Sequence, residues 1–105
     1  MEIRDQGFKD QGLLTVFESE SDHMVLKFGT VTIPPGVRVP EEGMSEHSEN
    51  EYSFIKKGTL EGESGGKPFS ITSSMATFIP AGEQHWAINS GDEPCEIVWT
   101  LLKEK

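Results

Sequence analysis

Two short segments carry most of the residues in this chain that could do chemistry. One is Ser45-Glu46-His47-Ser48-Glu49-Asn50-Glu51 and the other is Pro80-Ala81-Gly82-Glu83-Gln84-His85. The chain holds three histidines, and two of them, His47 and His85, sit in these segments. His47 and Glu51 are four residues apart, which on a straight strand is about 13 Å. Ligands of one metal ion lie only about 3 Å apart, so the pair can share an ion only if the chain bends between them. Ser48-Glu49-Asn50 is a polar, turn-forming stretch that permits such a bend. Pro80-Ala81-Gly82 fits a type I turn, with proline second and glycine fourth, which would fix the direction of the imidazole that follows.

The elements that must position these groups read as strands. Eleven Gly and six Pro are scattered along the chain and leave little room for a long helix. Short β-branched and aromatic runs alternate with turn residues. Strands are expected at Leu13 to Phe17, Met24 to Ile33, Val37 to Pro40, Tyr52 to Lys57, Thr59 to Glu63, Lys67 to Thr72, Thr77 to Ile79, Trp86 to Asn89 and Glu96 to Leu102. Glu18 to Asp22 reads as a turn, Gly29 as a bulge or close approach, and Gly65–Gly66 as a tight hairpin. The count, roughly eight to ten short strands, is that of an all-β jelly roll or small barrel. The first twelve residues could pair with a sheet edge or lie loose.

These segments resemble the cupin superfamily. His47-x-x-x-Glu51, followed by six residues and Gly58, matches the middle and tail of the first cupin motif. Pro80-x-Gly82-x-x-His85-x-x-x-Asn89 matches the core of the second motif at each fixed position. Together they run from Gly36 to Asn89, about half the chain, in the family's order. The resemblance implies a double-stranded β-helix, or jelly-roll barrel, in one domain spanning residues 1–105. It also implies a metal bound inside the barrel by His47, Glu51 and His85, and a homodimer formed through sheet faces. The chain departs from the pattern at three places. Ser45 stands where the first motif has its first histidine, the loop from Gly36 to Ser45 is about three residues longer, and Ser74 stands where a glycine is expected.

Two histidines and one carboxylate have the composition of a facial triad with open positions, which suits Fe, Mn, Co, Ni or Zn. Glu42, Glu46 or Glu49 could add a fourth ligand, and Glu49, beside the bend, is the best placed. Without the motif match, His47 would read as an exposed loop residue, Glu51 as a solvated strand edge and His85 as a hydrogen-bonded core histidine. His23 reads as a surface turn residue and Cys95 as a small half-buried one without a base to activate it, while Trp86 and Trp99 could line the pocket or fill the core, with core the better reading for Trp99.

Composition narrows the partners. Eighteen acidic and nine basic side chains give a formal charge of −9. Such a chain repels phosphate backbones and anionic lipid, so nucleic-acid and membrane partners are not expected. The single cysteine excludes an intramolecular disulfide, and MEIRDQGFKD lacks the pattern of a signal peptide, so the expected location is the cytoplasm. The function expected is a small metal-binding cupin that binds or transforms a small molecule. The alternative is a metal-free ligand-binding or sensor module, with Ser45 marking a lost site.

Overall fold

The computed structural model describes residues 1–105. Nine strands follow one another without a helix: β1 (Gly12–Glu20), β2 (Met24–Ile33), β3 (Arg38–Val39), β4 (Asn50–Lys57), β5 (Thr59–Ser64), β6 (Lys67–Thr72), β7 (Ala76–Ile79), β8 (His85–Ile88) and β9 (Cys95–Glu104). They form two antiparallel sheets, one of five strands in the order β1-β2-β9-β4-β7 and one of four in the order β3-β8-β5-β6. This is the all-β jelly roll that the strand pattern predicts.

Alternation along the strands builds the core. On β9, Cys95, Ile97 and Trp99 are buried while Glu96 and Val98 are only half-buried, as period-two geometry requires. Ile33, Ile55, Leu60, Cys95 and Ile97 form the buried centre, with Val31, Phe69, Ile71 and Ala87 packed around it. Leu60, Phe69 and Ile71 come from β5 and β6, so both sheets contribute to the core.

Several boundaries differ from the sequence reading for identifiable reasons. β1 runs on through Glu18, Ser19 and Glu20, because the backbone ladder to Lys27, Leu26 and Val25 continues whatever the exposed side chains are. The turn is therefore shorter, closed by Ser21 N donating to Met24 O at 2.9 Å. Gly29 is the close approach and not the bulge: a Cβ there would collide with the Leu14 carbonyl and the Trp99 ring, while the bulge lies across from it on β1, where the register shifts between Thr15 and Phe17. β3 is only two residues long, since Pro40 has no N–H to extend the ladder.

Residues 1–10 form no strand. They lie over the outer face of the five-stranded sheet, a course distinct from both the edge pairing and the loose arm expected from sequence. The Thr30 hydroxyl donates to the Gly7 carbonyl and the Thr32 hydroxyl to the Lys9 carbonyl. Thr30 and Thr32 alternate with the core residues Val31 and Ile33, so they face outward, and the arm is what buries them. The Arg4 guanidinium stacks on Phe17 and the Lys56 ammonium on Phe8, which pins the arm at two further points.

Candidate metal centre

The two chemistry-bearing segments meet at one end of the space between the sheets, and the backbone joins them. Ser48 and Glu49 make the bend that the sequence predicts, and β4 begins at Asn50. The turn before His85 spans Pro80 to Glu83, closed by Glu83 N donating to Pro80 O at 3.1 Å. Gly82 occupies its third position with φ +82°. The turn is therefore type II and one residue later than the type I turn read from the sequence, because glycine can supply the positive φ at that position. Gly82 N donates to the His47 carbonyl at 2.8 Å and Ala81 N to Asn50 Oδ1 at 2.9 Å. The turn that aims His85 is thus fastened to the bend that aims His47.

The ligand atoms of His47, Glu51 and His85 all lie within 4.8 Å of one another. His47 Nε2 is 3.1 Å from Glu51 Oε1, and both side chains are 23% exposed. The two imidazole rings are 5.2 Å apart at an angle of 72°. Each ring is held by its other nitrogen. His47 Nδ1 is 2.9 Å from the Glu49 carbonyl and His85 Nδ1 is 3.0 Å from the Glu83 carbonyl. A carbonyl can only accept, so each Nδ1 carries a proton, and in the neutral ring each Nε2 presents a lone pair. For His47 that lone pair would face a carboxylate oxygen, an acceptor against an acceptor, whereas a proton on Nε2 makes the same contact a hydrogen-bonded ion pair. A cation or a proton between them removes the repulsion. The three groups could hold a metal ion, and their donor set suits a divalent transition metal.

Ser45 lies beside them. It exchanges two backbone hydrogen bonds with His85, N to O at 2.8 Å and O to N at 3.0 Å. Directly opposed residues of an antiparallel pair share a face, and Ser45 lines the same cavity as the three ligands. Glu49 contributes its backbone carbonyl to His47 and its carboxylate contacts Ser48. That carboxylate stands outside the convergent group, as do those of the exposed Glu42 and Glu46.

Three polar side chains near the centre escape the sequence reading. Ser64 pairs with His85 across β5 and β8, and its hydroxyl donates to Glu83 Oε2 at 2.6 Å. Ser53 Oγ reaches Glu51 Oε2 at 3.5 Å. Alternation places Ser53 on the face of Glu51, a signal present in the sequence, whereas the Ser64–Glu83 contact depends on strand pairing that no local pattern reveals. Behind the centre opens a cavity of about 620 Å³ lined by 24 residues, 15 of them hydrophobic, so its walls are mainly apolar. Trp99 is buried, as its core reading expects, and also forms one of the cavity walls, the alternative the sequence left open.

The model of the family described as "Cupin domain" matches residues 29–101, well over half the chain. The chain belongs to the cupin family. No curated protein matches it. Solved structures similar to this cupin include the Cnp3 cupin domain of Schizosaccharomyces pombe, with TM-score 0.72 and 16% identity over 89% of this chain and 64% of that one. The TT1209 protein of Thermus thermophilus is similar with TM-score 0.68 and 19% identity over 96% of both chains. A protein described as a predicted oxalate decarboxylase from Thermotoga maritima has TM-score 0.64 and 19% identity, over 88% of this chain and 92% of that one. At these identities the likeness shows the shared fold.

The second-motif asparagine has a structural role in this cupin. Asn89 is fully buried; its Nδ2 donates to the Ile33 and Glu93 carbonyls, each at 2.8 Å, and its Oδ1 accepts from Gly91 N at 2.9 Å. It ties the end of β2 to the loop before β9, which sets the far end of the strand carrying His85.

Proposed function

We propose that this cupin binds a divalent transition-metal ion through His47, Glu51 and His85, and binds or transforms a small organic molecule in the adjoining cavity. The observation that supports this most directly is the shared hydrogen-bond pattern of the two imidazoles. Both Nδ1 atoms are taken by backbone carbonyls, which leaves both Nε2 atoms to converge with Glu51 on one ion. Such an ion supplies Lewis acidity at an open coordination position. The chain's own residues orient the ligands and present the apolar walls. The oxalate named for the Thermotoga neighbour is not carried over, because 19% identity transfers the fold and not a substrate. The same reading includes a homodimer through the outer face of the five-stranded sheet, located in the cytoplasm.

The test is elemental analysis by plasma mass spectrometry on untagged protein purified without chelator. One equivalent of Fe, Mn, Co, Ni or Zn is expected, lost in His85→Ala with the fold intact by circular dichroism. Removing a direct ligand should weaken metal binding by at least the 10- to 100-fold typical of outer-shell partners. Unchanged occupancy in His85→Ala would remove the assignment. A metal-free binding module is the second reading, favoured by Ser45 in the place of the first motif histidine. It predicts no bound metal after reconstitution with each ion, and ligand-induced thermal shifts that survive chelation.

A further inference from the structure

Lys27 is the one lysine in this chain that is not exposed. Lysine is mostly an exposed residue, and burial usually goes with a partner for the charge. Lys27 stands on β2 directly opposite Leu101 of β9, in a ladder that runs from Met24 to Ile33 without a register shift. Leu101 is in turn directly opposite Glu51 of β4. Opposed residues share a face of the sheet, and Leu101 and Glu51 both line the cavity. Glu51, Leu101 and Lys27 therefore form one inward row across three strands, at the level of the candidate metal centre. Neighbouring strands are about 4.8 Å apart, which sets the Lys27 and Glu51 backbones roughly 10 Å apart. The flexible four-carbon stem of lysine spans much of that gap.

The Lys27 ammonium has no carboxylate partner in the chain. The ion pairs of the protein join Arg4 to Glu2, His47 to Glu51, Lys56 to Glu96 and Lys105 to Glu20. Glu18, directly opposite Lys27 on β1, is not among them. The sheet order shows what would reach this charge. β4 and β6 are in contact, so the other edge of the four-stranded sheet, β3, stands over the β1–β2 flank. Ser45 pairs with His85 on the β3 side, and Ser64 pairs with it on the β5 side. The coordination position that Ser45 leaves unfilled is therefore on the flank where Lys27 stands. Glu83, the other carboxylate on the cavity, is engaged by Ser64 Oγ at 2.6 Å on the opposite flank.

Resting on the metal reading, we infer that Lys27 is the anion-recognising residue of this site. The molecule bound there carries two separated polar ends. One is an oxygen that meets the ion at His47, Glu51 and His85, and the other is a carboxylate or comparable anionic group that pairs with Lys27 Nζ. The cavity walls are mainly apolar, so without Lys27 the second anionic group would be desolvated and unpaired.

Calorimetric titration of the purified protein with succinate, glutarate and adipate, each against the straight-chain monocarboxylate of the same carbon number, tests this. At least one diacid should bind about tenfold or more tightly than its monoacid, the worth of one hydrogen bond between charged groups. Lys27→Met keeps a flexible stem and removes the charge. It should abolish that preference with metal content and circular dichroism unchanged, and Lys27→Arg should restore it. A native protein in which no diacid outbinds its monoacid, or a preference that Lys27→Met leaves intact, would overturn the inference. Metal content measured on the same samples separates the two readings. A bound metal with no Lys27-dependent preference leaves the metal assignment standing and overturns the inference. A Lys27-dependent preference in protein that takes up no metal supports Lys27 as the anion site while the metal assignment falls.

Discussion

Ser45 is the residue at which this cupin departs most from the first motif, and its position gives a direct prediction. Its backbone is paired with that of His85 by two hydrogen bonds, so a side chain at 45 emerges beside the His85 imidazole and on the same face. Ser45→His should therefore add a fourth ligand and tighten metal binding by about tenfold or more, given that even outer-shell partners carry 10- to 100-fold. Competition with a chromogenic chelator measures this; equal or weaker binding would mean the new imidazole does not reach the ion. Cys95 carries a second prediction at this scale. It is fully buried within the core. Burial, with Glu93 and Glu96 adding to it, pushes its thiol up to about 11. The folded chain thus holds this proton at pH values where the unfolded chain, titrating near the ordinary thiol range, has begun to lose it. The stability this gives is complete below about pH 9 and is lost as pH rises toward 11. Melting temperature should accordingly fall more steeply over that window in the native protein than in Cys95→Ala, and parallel slopes would rule the thiol out as the cause.

At the level of elements, the tight turns reveal what the sequence can and cannot convey. Ser74 precedes β7 where the family pattern has glycine, and it takes φ +75°, the left-handed region. Its N–H donates to Ile55 O at 2.8 Å and Met75 N–H to Thr72 O at 3.2 Å, so the turn geometry is held by hydrogen bonds on both sides. A Cβ there costs about 1–2 kcal/mol in the folded state, partly offset by the greater chain entropy glycine has when unfolded. Ser74→Gly should stabilise by up to about 1 kcal/mol, seen as a higher urea midpoint with unchanged slope; destabilisation would mean the serine is not strained. The departure at Ser74 is readable from the motif, and its physical meaning emerges only with the dihedral angle. His47, Glu51 and His85 are legible because motif spacing encodes the bend and the turn that bring them together. The type of the Pro80–Glu83 turn is not, because Pro-x-Gly suits two turn registers, and the hydrogen bond that decides between them is not a sequence property. Trp99 reads as core since an apolar wall and an apolar core have the same period-two pattern. Its lining of a cavity depends on what faces it from the other sheet.

For the whole molecule, accessible surface argues for the homodimer included in the proposed function. A folded monomer of 11.6 kDa should expose about 5,800 Å²; this chain exposes 6781 Å², with only 12 of its 105 residues buried. The excess, about 900 Å², is on the order of what one partner contributes to a standard interface, although the cavity walls account for part of it. Tyr52, Phe54 and Phe78 are each about half exposed, and the Tyr52 and Phe78 rings lie 5.0 Å apart. Tyr52 and Phe54 alternate with the inward-facing Glu51, Ser53 and Ile55, so they stand on the outer face of the five-stranded sheet. The arm of residues 1–10 covers the β2 flank of that face through Thr30 and Thr32, and the aromatic group lies toward β4 and β7. A second copy related by a two-fold axis would set the same patch against itself. Because each copy carries a formal charge of −9, long-range repulsion opposes association and salt screens it. Sedimentation equilibrium at micromolar concentrations should give a dimer whose association tightens as salt is raised. Phe54→Glu should give a monomer with unchanged metal content, because residue 54 faces away from His47, Glu51 and His85. A monomeric native protein, or a dimer indifferent to Phe54→Glu, would remove the aromatic face as the contact and leave its exposure to be explained by another partner.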